Sequence, residues 1–575
     1  MAWLIPAQNL TSLTMNNTAA ILYKRDGYDT SGKRLLGRQA AGEGFLKALV
    51  QYGTADSLYC YADTQPEFAE FCDRIKPWMK RPRQVQWLPT SHPQILTQAG
   101  TIYHPDPILS KLAWNRRFFD QRGYSICGVT HTIASTGVMG GIGDLLIAPL
   151  QPWDALICTS VAVKIAVERL LNTWAEYLAQ RTGGKPNIDI QLPIIPLGVD
   201  CDAFAQGDNT PNIRKSLRQV LNIPQDDIVV LFVGRLCFYG KAHPVPMYLA
   251  LEKAAQATKA KIHFVQAGWF EDEREEVTFK QSTQIFCPSV NCIFVDGRKP
   301  EIRSGIWSTA DIFISLVDNI QETFGLTPIE AMAAGLPVIV SDWDGYQESV
   351  RHEVDGLRIP TLMPPAGSGL DLGSAYLSDN LNYSSYIAHS SMVIAVDIDA
   401  ASRALIELIT NPEMRKRLGE NGRQRARQTY DWRVVIAAYE ELWQELATVR
   451  NTAPMSAPVL RGSPPAPLCD DPFRLFAHYT NIKLTPDLIL GLGSMGTPEH
   501  LQQLRQNWIT NFGADRRSAN STVDGILAAI AQHGAVSIET IIHQHPDVSS
   551  TELLRTVMYL LKFDILRVEN SLLEI

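Results

Sequence analysis

Short apolar runs alternate with helical patterns along most of this chain. Residues 20–23, 124–129 and 155–158 are continuous runs of the kind buried on both faces of a parallel sheet, while residues 44–52 and 162–181 carry the helical period. The pattern restarts at 228–235 and continues through 261–268, 292–295, 311–317 and 338–340. Strands alternating with helices, twice over, predict two doubly wound α/β halves in series. The turn-rich stretch 194–204 between them suits an interdomain hinge, and helical patterns at 399–411 and 412–429 lead into a long amphipathic one at 432–447. Pro454, Pro458, Pro464, Pro465 and Pro467 then mark 451–467 as a semi-extended linker. Beyond it, helices at 523–532, 537–543 and 549–561 and a strand at 565–568 predict a small, mainly α domain. The expected domains are therefore 1–200, 201–430, a helix over 431–448 that crosses back to the first domain, a linker over 449–467, and a small domain over 468–575.

Composition narrows the class. A chain of 575 residues holds about three domains, and 45% hydrophobic with 19% charged residues is ordinary for a soluble protein. A net charge of -8 gives no general attraction to nucleic acid or anionic membrane. The nine cysteines lack CxxC or His spacing, which points to a reducing compartment and away from structural zinc. The opening residues 1–6 lack a basic leader region and no apolar run reaches membrane-spanning length, so a cytoplasmic protein is expected, with peripheral contact at the inner face of the membrane left open. Three helices followed by a strand resemble a winged helix. Yet residues 521–575 hold seven acidic residues against Arg555, Lys562 and Arg567, the reverse of what phosphate binding needs. A protein contact or self-association is the expected role there, and no nucleic acid.

The segment QETFGLTPIEAMAAGLPVIVS, residues 321–341, carries the most chemistry. It sets Glu322 and Glu330 across a loop-to-helix junction between two apolar strands. Thr327 reads as the N-cap, Pro328 as the first helical residue, and Gly335 with Pro337 as the stop. Two readings stand side by side: a capping box, in which Glu330 reaches back to the N-cap amide, and a ligand site, in which the free amides of Thr323, Phe324 and Gly325 receive a phosphate or a polyhydroxyl. Arg235 and Lys241 follow another strand end, where a fork and a point charge together suit a diphosphate. His131 ends a strand of the first half, followed by a glycine-rich loop at 137–144, and a second glycine-rich stretch at 37–44 precedes a helix. The GxGxxG match at 491–496 lacks a following strand with a ribose-binding acid and reads as a loop and helix start. The basic cluster 76–83 around Trp78 reads as a solvated loop or a membrane-facing one, and residues 361–391 as a lid or an insertion.

Taken in order, the stretch 37–44, His131, the strand 154–160, the turn 195–200, the run 232–236, the pair Glu322 and Glu330, and residues 337–342 resemble glycosyltransferase family 4. The resemblance covers roughly residues 20–448 and omits the C-terminal domain. It implies the GT-B fold, two Rossmann-like domains facing a cleft, and retaining sugar transfer from a nucleoside-diphosphate sugar to a saccharide or lipid-linked acceptor, as in surface polysaccharide or glycolipid synthesis. It also implies roles. Arg235 and Lys241 hold the donor diphosphate with the amides of Thr323, Phe324, Gly325 and Leu326, Glu330 binds the ribose, and Glu322 and His131 meet the transferred sugar. No metal or other cofactor is implied, because the cations neutralise the leaving group. Asp342 and Asp344 keep a structural or weak substrate role. Two positions depart from the family: Gly240 precedes Lys241 where the family has the reverse order, and Thr323 stands where glycine is common. A non-catalytic GT-B scaffold acting through its C-terminal domain is therefore the alternative. A sugar phosphorylase on the same fold is disfavoured by Glu330.

Overall fold

The computed structural model describes residues 18–30, 32, 37–205 and 210–569; the expected absence of a leader at 1–6 lies outside the described residues. Two six-stranded parallel sheets form its frame. The first contains β1 (Ala20–Leu22), β2 (Ser57–Ala62), β3 (Gln84–Pro89), β4 (Thr101–His104), β5 (Ser125–Val129) and β6 (Ala155–Ile157), in the order β3-β2-β1-β4-β5-β6. The second contains β7 (Ile228–Val233), β8 (Ile262–Gly268), β9 (Asn291–Asp296), β10 (Ile312–Ser315), β11 (Val338–Ser341) and β12 (Leu357–Ile359), in the order β12-β11-β10-β7-β8-β9. Counted within each half, both orders are 3-2-1-4-5-6, and both sheets reverse direction between their first and fourth strands. These are two Rossmann-like domains.

Burial on both faces explains the continuous apolar runs. Ile21, Cys127 and Val129 point into one layer with Phe45 and Trp443, while Ala20, Ile126 and Leu156 point into the other with Val163 and Leu171. Buried ion pairs pin the ends of the strands. Arg116 grips Asp154 through two bonds of 2.6 Å, and that carboxylate also accepts from the amides of Ile126 and Gln151 at 2.8 Å. In the second domain Asp311 takes Arg214, Arg218 and the amide of Val229.

The chain crosses between these domains twice, and the crossings lie side by side. The Val199 amide donates to the Tyr430 carbonyl at 2.7 Å, and that of Trp432 to the Val199 carbonyl at 3.2 Å. The helix Trp432–Thr452 then lays Val435, Ile436, Tyr439, Trp443 and Leu446 onto the first domain. Residues after it are not a free linker: Arg122 binds the carbonyls of Arg450 and Ala453, Gln151 exchanges two bonds with Ser456, and Arg117 binds the carbonyl of Pro465. Backbone carbonyls that prolines leave unladdered are good acceptors for arginine forks, which is why a proline-rich stretch is held down here.

Several local expectations change. Gly37–Tyr52 is one helix, so the glycines at 37–44 lie within it; a Cβ on Gly42 would stand 2.0 Å from the Gly27 carbonyl oxygen and one on Gly44 2.9 Å from Trp432. Residues 137–144 are likewise helical: Thr136–Gly143 is capped by Ser135, whose Oγ accepts from the Val138 amide at 3.3 Å. In the basic cluster, Arg81 and Arg83 turn inward to carbonyls between Leu49 and Ala55, closing the end of the helix Gly37–Tyr52. No helix among the described residues is long and apolar enough to cross a membrane.

Residues 467–575 form a separate compact unit. Its helices Asn520–His533, Ile538–Gln544 and Ser550–Lys562 and its strand Leu566–Val568 follow the predicted order, and Ile489–Leu492 adds a central strand pairing antiparallel with Val536–Ser537 and Leu566–Val568. The GxGxxG match is the end of that strand and its turn. A Cβ on Gly493 would meet the Asp564 carbonyl oxygen at 2.2 Å and one on Gly496 that of Ile565 at 2.8 Å, so these glycines serve close backbone packing.

Candidate active site

The two loops that matter leave adjacent strands at the point where the second sheet reverses. β7 and β10 pair directly, through Val230 with Ile312 and Leu231 with Phe313, and their C-terminal ends release the segments 234–243 and 316–325 side by side. An open α/β sheet presents its ligand crevice at that point. Four contacts lace the segments together: Asn319 Nδ2 donates to the Lys241 carbonyl at 2.6 Å, Gln321 Nε2 to the Gly240 carbonyl at 2.9 Å, Lys241 Nζ to Glu322 Oε2 at 2.6 Å, and the His243 amide to Asp318 Oδ1 at 3.3 Å. Asn319 Oδ1 accepts from the amides of Gln321 and Glu322 and sets the turn.

Lys241 and Glu322 are each 16% exposed. Burial alone would push the ammonium down and the carboxyl up; their mutual attraction outweighs it, and both are held in the charged form, Lys241 above its ordinary value and Glu322 below. The reversed Gly-Lys order therefore still delivers the ammonium to this site. Gly234 makes the space, since a Cβ there would stand 3.2 Å from Lys241 Cε. Arg235 is beside them, donating to the Gly240 carbonyl at 3.0 Å and to Glu271 at 3.2 Å.

The capping-box reading fails on geometry. The helix runs Leu326–Ala333 with Gly325 as its N-cap at φ +85°, and no side chain caps it. Thr327 and Pro328 are thus its second and third residues. Gly325 is required: its φ is left-handed, and a Cβ would lie 1.9 Å from the ring of Tyr346. The amides of Thr323 and Phe324 are not free, being turned to the Glu322 carboxylate, which helps keep it ionised. Gly325 and Leu326 begin the uncapped helix, where the backbone dipole favours an anion. Glu330 lies one turn on, half-buried, its carboxyl pushed up to about 7 by burial. Burial also raises Asp318 to about 7, and burial reinforced by the Glu322 charge raises Asp344 to about 8. Carboxyls so perturbed, clustered in one crevice, mark a candidate functional site. Asp342 and Asp344 flank Trp343, whose Nε1 holds the Asn319 carbonyl at 2.9 Å, and this gives that segment a supporting role.

The first domain meets these loops. Ser160 Oγ donates to the Thr323 carbonyl at 2.9 Å, and Glu348 accepts from the amides of Val161 and Ala162. His131 follows β5, and its Nε2 is 2.9 Å from the Pro105 carbonyl. A carbonyl only accepts, so Nε2 carries the proton and Nδ1 is left as an acceptor; burial lowers the pKa and keeps the ring neutral. Thr132, next in sequence, is 3.1 Å from the hydroxyl of Tyr383, which itself donates to Gln321 Oε1 at 2.9 Å. The resemblance named neither Tyr383 nor Asn319 nor Glu271. The sequence signal for Tyr383 was its place in the stretch 361–391, read as a lid or an insertion.

Residues 213–362, which include Arg235, Lys241, Glu322 and Glu330, match the family Glycosyl transferases group 1. The chain is also similar to curated glycosyltransferases. The chain is 24% identical to a lipopolysaccharide 1,2-N-acetylglucosaminetransferase of Salmonella typhimurium over 30% of its length and 45% of that protein. It is 26% identical to a D-inositol 3-phosphate glycosyltransferase of Corynebacterium urealyticum over 38% of its length and 50% of that protein. The chain thus spans half or less of these relatives. Among solved structures, a sucrose-phosphate synthase of Thermosynechococcus elongatus aligns with 76% of this chain and 98% of its own at 18% identity and a TM-score of 0.44.

Proposed function

We propose that the chain is a retaining glycosyltransferase of hexosyltransferase type that moves a sugar from a nucleoside-diphosphate sugar to an acceptor hydroxyl. The observation that carries this reading is the convergence of Arg235, the Lys241–Glu322 pair and Glu330 on one uncapped helix N-terminus at the reversal point of the second sheet. Arg235 and Lys241 take the diphosphate with the amides of Gly325 and Leu326, and Glu330 accepts from the ribose hydroxyls. Glu322 passes from Lys241 to the transferred sugar as the phosphates arrive, and neutral His131 receives a hydroxyl of that sugar at Nδ1. The bond from the anomeric carbon to the β-phosphate oxygen breaks and the bond to the acceptor oxygen forms. The acceptor proton leaves with the phosphate. Cations in place on the departing diphosphate support a reaction that needs no metal.

A saccharide or lipid-linked acceptor in surface polysaccharide or glycolipid synthesis fits the lipopolysaccharide enzyme among the relatives. For the C-terminal unit we propose a protein contact, supported by Trp508, Ile509 and Phe512, which are 80%, 74% and 79% exposed. Thermal-shift titration with UDP, GDP and ADP tests the central reading. One nucleotide is expected to raise the melting temperature saturably, and Arg235→Ala and Glu330→Ala to abolish transfer while remaining folded. A chain that answers to none of the three, or full transfer by either variant, overturns it in favour of a scaffold.

A further inference from the structure

The insertion after β12 is a built element. Thr361–Leu362 and Ala395–Val396 pair antiparallel as its stalk, and it carries the helices Leu370–Leu377 and Tyr383–Ser391. The rings of Tyr376 and Tyr386 stack at 4.3 Å, tying one helix to the other, and Asn382 caps the second. Both ends of this hairpin belong to the second domain, yet two of its tyrosines reach the first. Tyr376 OH accepts from the Thr136 amide at 3.1 Å, and Tyr383 OH meets Thr132.

The bonds around Tyr383 have a fixed sense. Gln321 Nε2 is committed to the Gly240 carbonyl, so Oε1 faces the tyrosine and takes its proton; the Tyr383 oxygen is then the acceptor for the Thr132 hydroxyl. The same Gly240 carbonyl receives Arg235 Nη2. One ordered chain therefore runs from Thr132, beside His131, through Tyr383 to Gln321, beside Glu322, and on to the backbone that positions Arg235. The Tyr383 hydroxyl stands between the neighbours of the two side chains assigned to the sugar.

We infer that Tyr383 is a specificity-determining residue for the donor, closing the insertion over the sugar end of a nucleoside-diphosphate sugar and hydrogen-bonding that sugar. This rests on the donor site proposed above. It separates the two ends of the donor: the nucleoside belongs to the group 1 domain alone, and the sugar is read only when the insertion bridges both domains.

The test is Tyr383→Phe in the full chain, titrated in parallel with UDP, GDP and ADP and with UDP-glucose, GDP-glucose and ADP-glucose, with Tyr376→Phe as comparison. Loss of one neutral hydrogen bond is expected to weaken the sugar conjugate by about tenfold while leaving the bare nucleotide within about twofold, and to raise the fraction of donor lost to water. Tyr376→Phe, which removes a domain contact at the end of another helix, is expected to act on closure without selecting between nucleotide and conjugate. Equal weakening of both ligands by Tyr383→Phe, or no weakening of either, overturns the inference. A wild-type chain that binds neither nucleotide nor conjugate instead overturns the donor site on which it rests.

Discussion

Replacing Glu322 by glutamine separates the two demands placed on Lys241. At 2.6 Å and an effective dielectric of about 20 the pair attracts by about 6 kcal/mol; desolvation of two largely buried ions takes back roughly half. The variant keeps a hydrogen-bond acceptor and loses the charge, so the unliganded chain is expected to lose about 3 kcal/mol and the transition that carries the second domain to fall by about 6–12 °C. Phosphate charge can then stand in for the missing carboxylate. Differential scanning calorimetry with and without the nucleotide identified by the screen is expected to give a larger ligand-induced shift for Glu322→Gln than for wild type, together with loss of sugar transfer. In the double variant Lys241→Met with Glu322→Leu, stability returns towards wild type and the nucleotide shift disappears. An unchanged melting temperature for Glu322→Gln, or a nucleotide shift below the wild-type one, refutes the reasoning.

Four further outcomes follow from the same structure. Glu330 has a folded-state value raised to about 7, so the stability it contributes is present below its ordinary range and lost as pH rises through 7; Glu330→Gln is expected to gain stability over wild type at about pH 8 but not at about pH 5. Because the ribose needs an accepting carboxylate, nucleotide affinity should fall as pH drops from about 8 to about 6, and isothermal titration of Glu330→Gln should show that slope removed. Asp154→Asn leaves Arg116 buried at 0% exposure without its counter-charge, and a cost of about 3–5 kcal/mol is expected in urea unfolding of the first domain. Gly493→Ala drives a Cβ against the Asp564 carbonyl; it should destabilise the C-terminal unit by about 2 kcal/mol in calorimetry and leave the nucleotide shift intact, with NAD giving no shift in either form.

The architecture was legible where burial writes directly into composition. Strands such as 228–233 and 262–268, covered on both faces, read as apolar runs, and the alternation of strands with helices gives two doubly wound sheets. β2, β3, β4 and β12 were missed: β2 carries Tyr59 and Tyr61, β3 is a part-exposed edge strand with Gln84 and Gln86, and β4 and β12 are short and broken by Thr101, His104 and Arg358, so none shows an uninterrupted aliphatic run. Glycines misled for a physical reason. Their absence of a side chain serves close packing inside the helix Gly37–Tyr52 as well as it serves a phosphate loop, and spacing does not separate the two uses.

Arg235, Lys241, Glu322 and Glu330 could be named from the sequence as candidate site residues, because their residue types and order suggest that chemistry. Tertiary structure alone decided their states. Lys241 and Glu322, far apart in the chain, form an ion pair only because β7 and β10 are neighbours in the sheet; Glu330 gave up the capping role once Gly325 took the N-cap. Tyr383 reached the site through a hairpin whose length was visible and whose direction was not. Local sequence fixes what a side chain can do, whereas the partner it meets depends on long-range strand order and on where an insertion docks, and neither is encoded within a helical turn of the residue itself.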